Sequence, residues 1–212
     1  MTDRLDAILA VSPVVPVVTL ASATDAVPLA RALLAGGIRI IEVTLRSDAA
    51  MDGIRAIVAA MPDMIVGAGT CVSPAQLEAA HAAGCGFAVS PGATIIILDA
   101  AHALDLPLLA GAATVSEMMR LAEAGHRYAK LFPAEASGGV ALLKAIAPVL
   151  PDLRFCPTGG VTPANAPAYL ALPNVACVGG TWITPPNLVA DARWEEIEAL
   201  AKAAVALGAA VP

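Results

Sequence analysis

Charge is scarce in this chain. Asp, Glu, Lys and Arg make up 14% of its 212 residues, where ordinary domains hold about 25%. Positive charge is scarcer still: 12 Lys and Arg stand against 18 Asp and Glu, a formal net charge of −6. A nucleic-acid binder would carry a basic patch, so that class of partner is not expected. Lysine occurs only at Lys130, Lys144 and Lys202. The cysteines Cys71, Cys85, Cys156 and Cys177 form no C-x-x-C pair and no cluster with histidine. Metal-ligand spacing is therefore missing, and no metal is expected. Reduced, mostly buried thiols in a cytoplasmic protein are the expectation.

Long apolar runs are also missing. No uninterrupted stretch reaches the roughly 18 residues of a membrane helix. Ala7 to Thr24 carries no charge, and Ala21-Ser22-Ala23 resembles a signal-peptidase site. A leader needs a basic start and a continuous apolar centre. Here Asp3, Arg4 and Asp6 precede the run, and Pro13 and Pro16 interrupt it. The segment reads instead as a first strand. Internal repeats, low-complexity tracts and linkers are lacking too, which leaves residues 1–212 as a single domain.

What the chain does have is a hydrophobic fraction of 58%, much of it alanine. Short β-branched runs alternate with alanine-rich helical segments. A short helix over Asp3–Leu9 comes first. Strands are expected at Val14–Leu20, Ile38–Leu45, Met64–Gly67, Gly86–Ser90, Leu106–Ala110, Arg127–Phe132, Leu153–Cys156 and Val175–Val178. Helices start after Thr24-Asp25, Ser47-Asp48, Ser73-Pro74, Thr94, Thr114, Ser137-Gly138-Gly139 and Thr162-Pro163, and a last one covers Asp191–Leu207. Hydroxyl and carboxylate residues at these starts are helix caps, and Asp25, Asp48 and Asp99 suit the positive end of the helix dipole. Strict alternation implies a parallel sheet, because each parallel crossover needs a helix. Eight units favour an α/β fold of one (β/α)8 TIM barrel over an open doubly wound sheet. The chain is short for that fold, which typically takes about 250 residues, so its loops must be tight.

Barrel active sites lie at the carboxyl ends of the strands. Lys130 stands there between Ala129 and Leu131. Desolvation, with help from a cation such as Arg46, would lower its pKa and leave an amine able to attack a carbonyl. A structural lysine that pairs with Glu42 and closes the barrel is the alternative. Glu42 sits in an equally apolar strand, either as a general acid–base or as an ion-pair partner. Gly159-Gly160 and Gly179-Gly180-Thr181 follow the last two strands, where barrels often hold phosphate. Bare glycine turns would look the same. Arg46 could hold a carboxylate bidentately, and Thr70 could add a hydroxyl. His81, His102 and His126 fall on helices or their ends, away from the strand tips.

The segments GGIRIIEVTLRS, IVGAGT, FAVSPG, AKLFPAE, CPTGGV and PNVACVGGTWIT closely resemble the KDPG/KHG aldolase family (2-dehydro-3-deoxy-6-phosphogluconate aldolase and 4-hydroxy-2-oxoglutarate aldolase). The resemblance spans nearly the whole chain in the family's order. It implies a homotrimer of (β/α)8 barrels and a class I, Schiff-base mechanism without metal. It implies Lys130 as the imine lysine and Glu42 as the acid–base. Arg46, Thr70 and Pro91 would surround the pyruvate end. Thr158, Gly159, Gly160, Gly180 and Thr181 would lie along the phosphate end. Thr158 matches the gluconate-type branch. The implied reaction is reversible cleavage of 2-dehydro-3-deoxy-6-phosphogluconate to pyruvate and glyceraldehyde 3-phosphate, in the Entner–Doudoroff pathway.

One stretch departs from the family pattern. After Pro91-Gly92 the chain reads Ala93-Thr94-Ile95-Ile96-Ile97-Leu98, where relatives carry polar or acidic residues. Three successive isoleucines sweep around a helix, so at least one should face solvent. A contact surface, natural or engineered, that joins trimers into a larger assembly is the sharper reading. Three functions are thus weighed: the aldolase, a phosphate-binding barrel isomerase, and an assembly or cage subunit on an aldolase scaffold.

Overall fold

Eight short strands run parallel, each followed by helix, in the computed structural model, which describes residues 2–209. The strands are β1 (Val14–Val18), β2 (Ile40–Thr44), β3 (Ile65–Gly69), β4 (Phe87–Val89), β5 (Leu108–Ala112), β6 (Tyr128–Leu131), β7 (Arg154–Pro157) and β8 (Val178–Gly180). Their hydrogen-bonded order is β7-β6-β5-β4-β3-β2-β1-β8. Isolated bridges Phe155↔Val175 and Thr158↔Gly179 join the two ends. The sheet is therefore a closed (β/α)8 barrel, as the alternation implied, and the open sheet is excluded.

The helices are α1 (Thr2–Leu9), α2 (Ala26–Ala35), α3 (Ala50–Ala60), α4 (Pro74–Ala82), α5 (Ile95–Ala103), α6 (Val115–Glu123), α7 (Gly139–Ile146), α8 (Ala166–Leu170), α9 (Pro186–Ala190) and α10 (Trp194–Ala209). Their starts obey local chemistry. The Ser73 hydroxyl accepts from the Gln76 N–H at 3.3 Å, with Pro74 at the first helical position. Thr94 caps α5 through the Ile97 N–H at 3.4 Å. Thr114 and Glu117 form a reciprocal box: Glu117 accepts from the Ala113 and Thr114 N–H groups, both at 2.8 Å. These caps sit in the loops that leave the carboxyl ends of the strands, so they fix the rim on which a site is built.

Strands are apolar along their whole length because helices cover them outside and side chains fill them inside. All five residues of β2 are buried, Glu42 included. Helix α1 lies across the amino-terminal end. Tyr128 donates a hydrogen bond to Asp6, and Arg4 pairs with Asp105 at 2.8 Å.

Several boundaries differ from those the sequence implies. Strand β8 begins at Val178, not Val175, and runs through Gly180. Val175 makes only a single bridge. Strand β5 runs from Leu108 through Gly111 to Ala112 instead of Leu106–Ala110. The Thr162-Pro163 segment is a turn ahead of α8, and α9 was not anticipated. Asp99 lies in the second turn of α5, beyond the reach of a first-turn dipole effect, and Asp48 precedes the cap position at Ala49. Among the described residues, no helix is long and apolar enough to cross a membrane.

Candidate active site

Strands β2 and β6 lie on different sides of the barrel, and their side chains meet inside it. The Lys130 ammonium donates to both carboxylate oxygens of Glu42, at 3.0 and 3.3 Å. The two side chains are 7% and 3% exposed, so the pair is almost dry. A low dielectric strengthens such a contact, and bidentate geometry fixes it. The ion-pair reading of these residues is therefore met, at a separation across which a proton can also pass. The Phe132 ring, 5.6 Å from the nitrogen, adds a cation–π face.

One glycine makes room for this pair, and a second makes room for the loop beside it. A Cβ on Gly69 would fall 2.3 Å from Glu42 Oε1. A Cβ on Gly111, the register partner of Lys130, would fall 2.2 Å from the Pro91 backbone. Glycine on β5 thus lets the Pro91 loop fold in over the barrel mouth beside Lys130.

Above the pair, at the rim, Arg46 is exposed and its Nε donates to Thr70 Oγ1 at 3.1 Å. Thr70 has φ of 62°, a left-handed conformation that costs a β-branched residue energy. The strain turns its hydroxyl toward Arg46 directly after Gly69. Below Arg46, the Thr44 hydroxyl donates to the Val18 carbonyl at 2.9 Å and ties β2 to β1.

The opposite side of the rim is built by β7 and β8. Gly159 and Gly160 have φ of 98° and 81°, which makes a true glycine turn. Their carbonyls are engaged: Gly159 accepts from the Glu135 N–H and Gly160 from Asn165 Nδ2, both at 3.1 Å. A turn with its carbonyls held elsewhere can present N–H groups to an anion. Gly179 and Gly180 behave differently. They are strand residues paired with Val15 and Pro16, so their reading as a second turn is corrected. Glycine is needed there for space: a Cβ would fall 2.2 Å from Thr158 Oγ1 at Gly179, and 2.2 Å from the Trp182 ring at Gly180. Thr158 is buried at this junction, and Thr181 is exposed at the rim just beyond it.

All ten residues singled out in the sequence thus stand on carboxyl ends of strands or the loops that follow them. Lys130 and Glu42 touch, as do Arg46 and Thr70. Thr158, Gly159, Gly160, Gly180 and Thr181 gather at β7 and β8. Lys144 and Lys202 are exposed on helices, and His81 and His102 are exposed. His126 is half-buried at the start of β6, and burial holds its imidazole below the usual range. A cavity of about 310 Å³, lined by Leu5, Asp99, His102, His126 and Tyr128, opens at the amino-terminal end, away from Lys130. All four cysteines are free and buried. Among the described residues no group of three or more His, Cys, Asp or Glu could hold a metal ion. Two residues went unread in the sequence. Glu135 lies against Gly160 and Gly139, and the fully buried Tyr169 donates to its carboxylate. They are 34 positions apart, and no spacing rule links them.

Known proteins resemble this chain in sequence and fold. The family described as KDPG and KHG aldolase matches residues 5–200. The chain is 50% identical to a 2-dehydro-3-deoxy-phosphogluconate aldolase of Pseudoalteromonas atlantica, over 94% of this chain and 93% of that one. It is 48% identical to a KHG/KDPG aldolase of Escherichia coli, over 94% of both. The KDPG aldolase of Legionella pneumophila, solved with pyruvate captured at low pH as a covalent carbinolamine intermediate, superposes with a TM-score of 0.93 at 45% identity. That match covers 94% of this chain and 97% of the other. Barrel, segment order and similarity over nearly the full length agree, and the chain belongs to the KDPG and KHG aldolase family.

Proposed function

We propose that this chain is a class I aldolase that reversibly cleaves 2-dehydro-3-deoxy-6-phosphogluconate to pyruvate and glyceraldehyde 3-phosphate, and that it also acts on 4-hydroxy-2-oxoglutarate. The observation that carries the reading is the dry, bidentate Lys130–Glu42 contact inside the carboxyl half of the barrel.

The amine must be neutral to attack, and Glu42 is placed to take its proton. Lys130 Nζ then adds to C2 of the keto acid to give a carbinolamine. Glu42 returns a proton to the C2 hydroxyl, which leaves as water, and an iminium forms. Glu42, again a carboxylate, takes the C4 hydroxyl proton, and the C3–C4 bond breaks. The bonding electrons flow into the iminium to give an enamine, and the aldehyde departs. Protonation at C3, from Glu42, and hydrolysis release pyruvate and the free lysine. Arg46, Thr70 and Pro91 hold the carboxylate end. Thr158, Gly159, Gly160, Gly180 and Thr181 hold the phosphate end. The chemistry needs no metal or other cofactor.

Borohydride reduction in the presence of pyruvate tests this. A pyruvate-derived fragment is expected on Lys130 by peptide mass spectrometry, and none in Lys130→Ala. No adduct on the wild type, or full activity in Lys130→Ala, refutes the reading and leaves a phosphate-binding isomerase in its place.

The working form is proposed to be a cytoplasmic homotrimer. Ile95 and Ile96 are 76% and 66% exposed, whereas Ile97 is buried. This favours a second reading in which the α5 face joins trimers into a larger assembly, natural or engineered. Light scattering distinguishes the two: a mass of three chains removes the larger assembly, and six or a higher multiple of three supports it.

A further inference from the structure

Glu135 touches both glycines of the β7 turn. Its N–H donates to the Gly159 carbonyl at 3.1 Å. Its side-chain stem fills the space that a Cβ on Gly160 would need, at 2.6 Å from Glu135 Cγ. The carboxylate beyond that stem is exposed on one side, yet it is gripped on the other by the hydroxyl of Tyr169, which is fully buried on α8. The same helix grips the turn directly. Asn165, at the α8 cap position, donates from Nδ2 to the Gly160 carbonyl at 3.1 Å. Asn165 and Tyr169 are four residues apart and so share a helix face. The turn is therefore bracketed: Asn165 holds Gly160 from one side, and Tyr169 holds the glutamate that underlies Gly160 on the other.

We propose that Tyr169 and Glu135 are positioning residues that set the Gly159-Gly160 turn for the phosphate of the substrate, and so determine preference for phosphorylated aldehydes. This rests on the proposed phosphate end. Neither residue hydrogen-bonds to Lys130 or Glu42. Glycines at φ of 98° and 81° have no side chains of their own to hold their shape. The turn keeps its geometry only if something rigid underlies it. The Tyr169 hydroxyl removes the freedom of the Glu135 side chain, and Glu135 removes that of Gly160. The role needs an acceptor at Glu135, not a negative charge.

The test measures addition of pyruvate to glyceraldehyde 3-phosphate and to unphosphorylated glyceraldehyde, with borohydride trapping of pyruvate as a check on the lysine end. Tyr169→Phe is expected to raise KM for the phosphorylated aldehyde roughly tenfold, the scale of one lost hydrogen bond to a charged group. The values for glyceraldehyde and the rate of pyruvate trapping should stay within about twofold. Inhibition by inorganic phosphate should weaken in step. Glu135→Ala should behave like Tyr169→Phe, and Glu135→Gln, which keeps the acceptor, should restore phosphate preference. Equal losses for both aldehydes in Tyr169→Phe and Glu135→Ala would reduce the pair to a structural tie and overturn the proposal. So would an unchanged ratio. A wild-type enzyme without any preference for the phosphorylated aldehyde would instead overturn the phosphate end itself. Should Tyr169→Phe fail to fold, the Glu135→Ala and Glu135→Gln comparison alone decides, because Glu135 is an exposed residue on a single 3-10 turn, Glu135–Ser137.

Discussion

A single methyl group at Gly69 should separate the presence of Glu42 from its placement. In Gly69→Ala the new Cβ would fall 2.3 Å from Glu42 Oε1, 2.6 Å from Cγ and 2.8 Å from Cδ. Relaxing that overlap to ordinary van der Waals contact moves the carboxylate by about 1 Å. The Lys130–Glu42 bond, 3.0 Å at rest, then stretches to about 4 Å, beyond hydrogen-bond reach. Lysine and glutamate are both still present, but proton transfer between them is misaligned. A displacement of this size costs catalysis about 100-fold, equivalent to about 2.7 kcal/mol in the barrier. The assay is kcat for 2-dehydro-3-deoxy-6-phosphogluconate cleavage, coupled to pyruvate reduction. Borohydride trapping should still label Lys130, but slowly. Gly67→Ala is the control on the same strand and face. Its Cβ would meet the Phe87 ring at 2.3 Å instead of Glu42. It should cost about 1–3 kcal/mol of stability by overpacking, with a smaller effect on kcat. A folded Gly69→Ala with wild-type kcat would refute the claim that Glu42 must sit against Lys130.

Other outcomes follow from burial. Replacing both partners together, Lys130→Met with Glu42→Leu, should abolish the adduct yet keep or raise stability, by about 1–4 kcal/mol; Glu42→Ala alone, which strands a buried ammonium, should lose about 3–5 kcal/mol. Urea titration of the two variants checks the asymmetry, and equal losses would contradict it. Burial pushes the thiols of Cys71 and Cys85 up from 9.0 to about 12. The folded chain keeps these protons where the unfolded chain has lost them, so their contribution is complete below pH 9 and stability falls as pH rises from 9 to about 12. Replacing both by alanine should flatten that alkaline limb, and an unchanged limb would refute it.

Much of the fold was legible because each strand–helix unit announces itself locally. Ser73, Thr94 and Thr114 read as caps and are caps, since a hydroxyl that accepts from the N–H three residues on needs no distant partner. Lys130 and Glu42 were legible because a charge between apolar strand residues demands an explanation. What could not be read was glycine used for space. Gly111, Gly179 and Gly180 look like breakers, yet all three are strand residues. Their reasons are the Pro91 backbone, Thr158 and Trp182, which approach from other elements. Sequence propensity counts a glycine against a strand, whereas the barrel interior selects it for a close approach. This is why β5 and β8 were displaced by two or three residues. The α9 helix has five residues next to prolines, too few to show a period. The Glu135–Tyr169 tie rests on a tertiary meeting that no window along the chain contains.

The seam between β7 and β8 gives the barrel the character of a split ring. Seven of its eight junctions are ladders of paired residues, while this one is held by isolated bridges at Phe155–Val175 and Thr158–Gly179. The second of these lies directly beneath the turn proposed to take the phosphate. A ligand that grips Gly160 on one lip and Thr181 on the other would serve as the clasp of that ring. Occupancy and hoop closure then become one variable. At a hundredfold excess over Kd, a ligand adds about 2.7 kcal/mol to the closed state. In this barrel that resistance would be concentrated along one line, so the amides of Phe155, Ala176 and Gly179 would slow their exchange first as substrate is added.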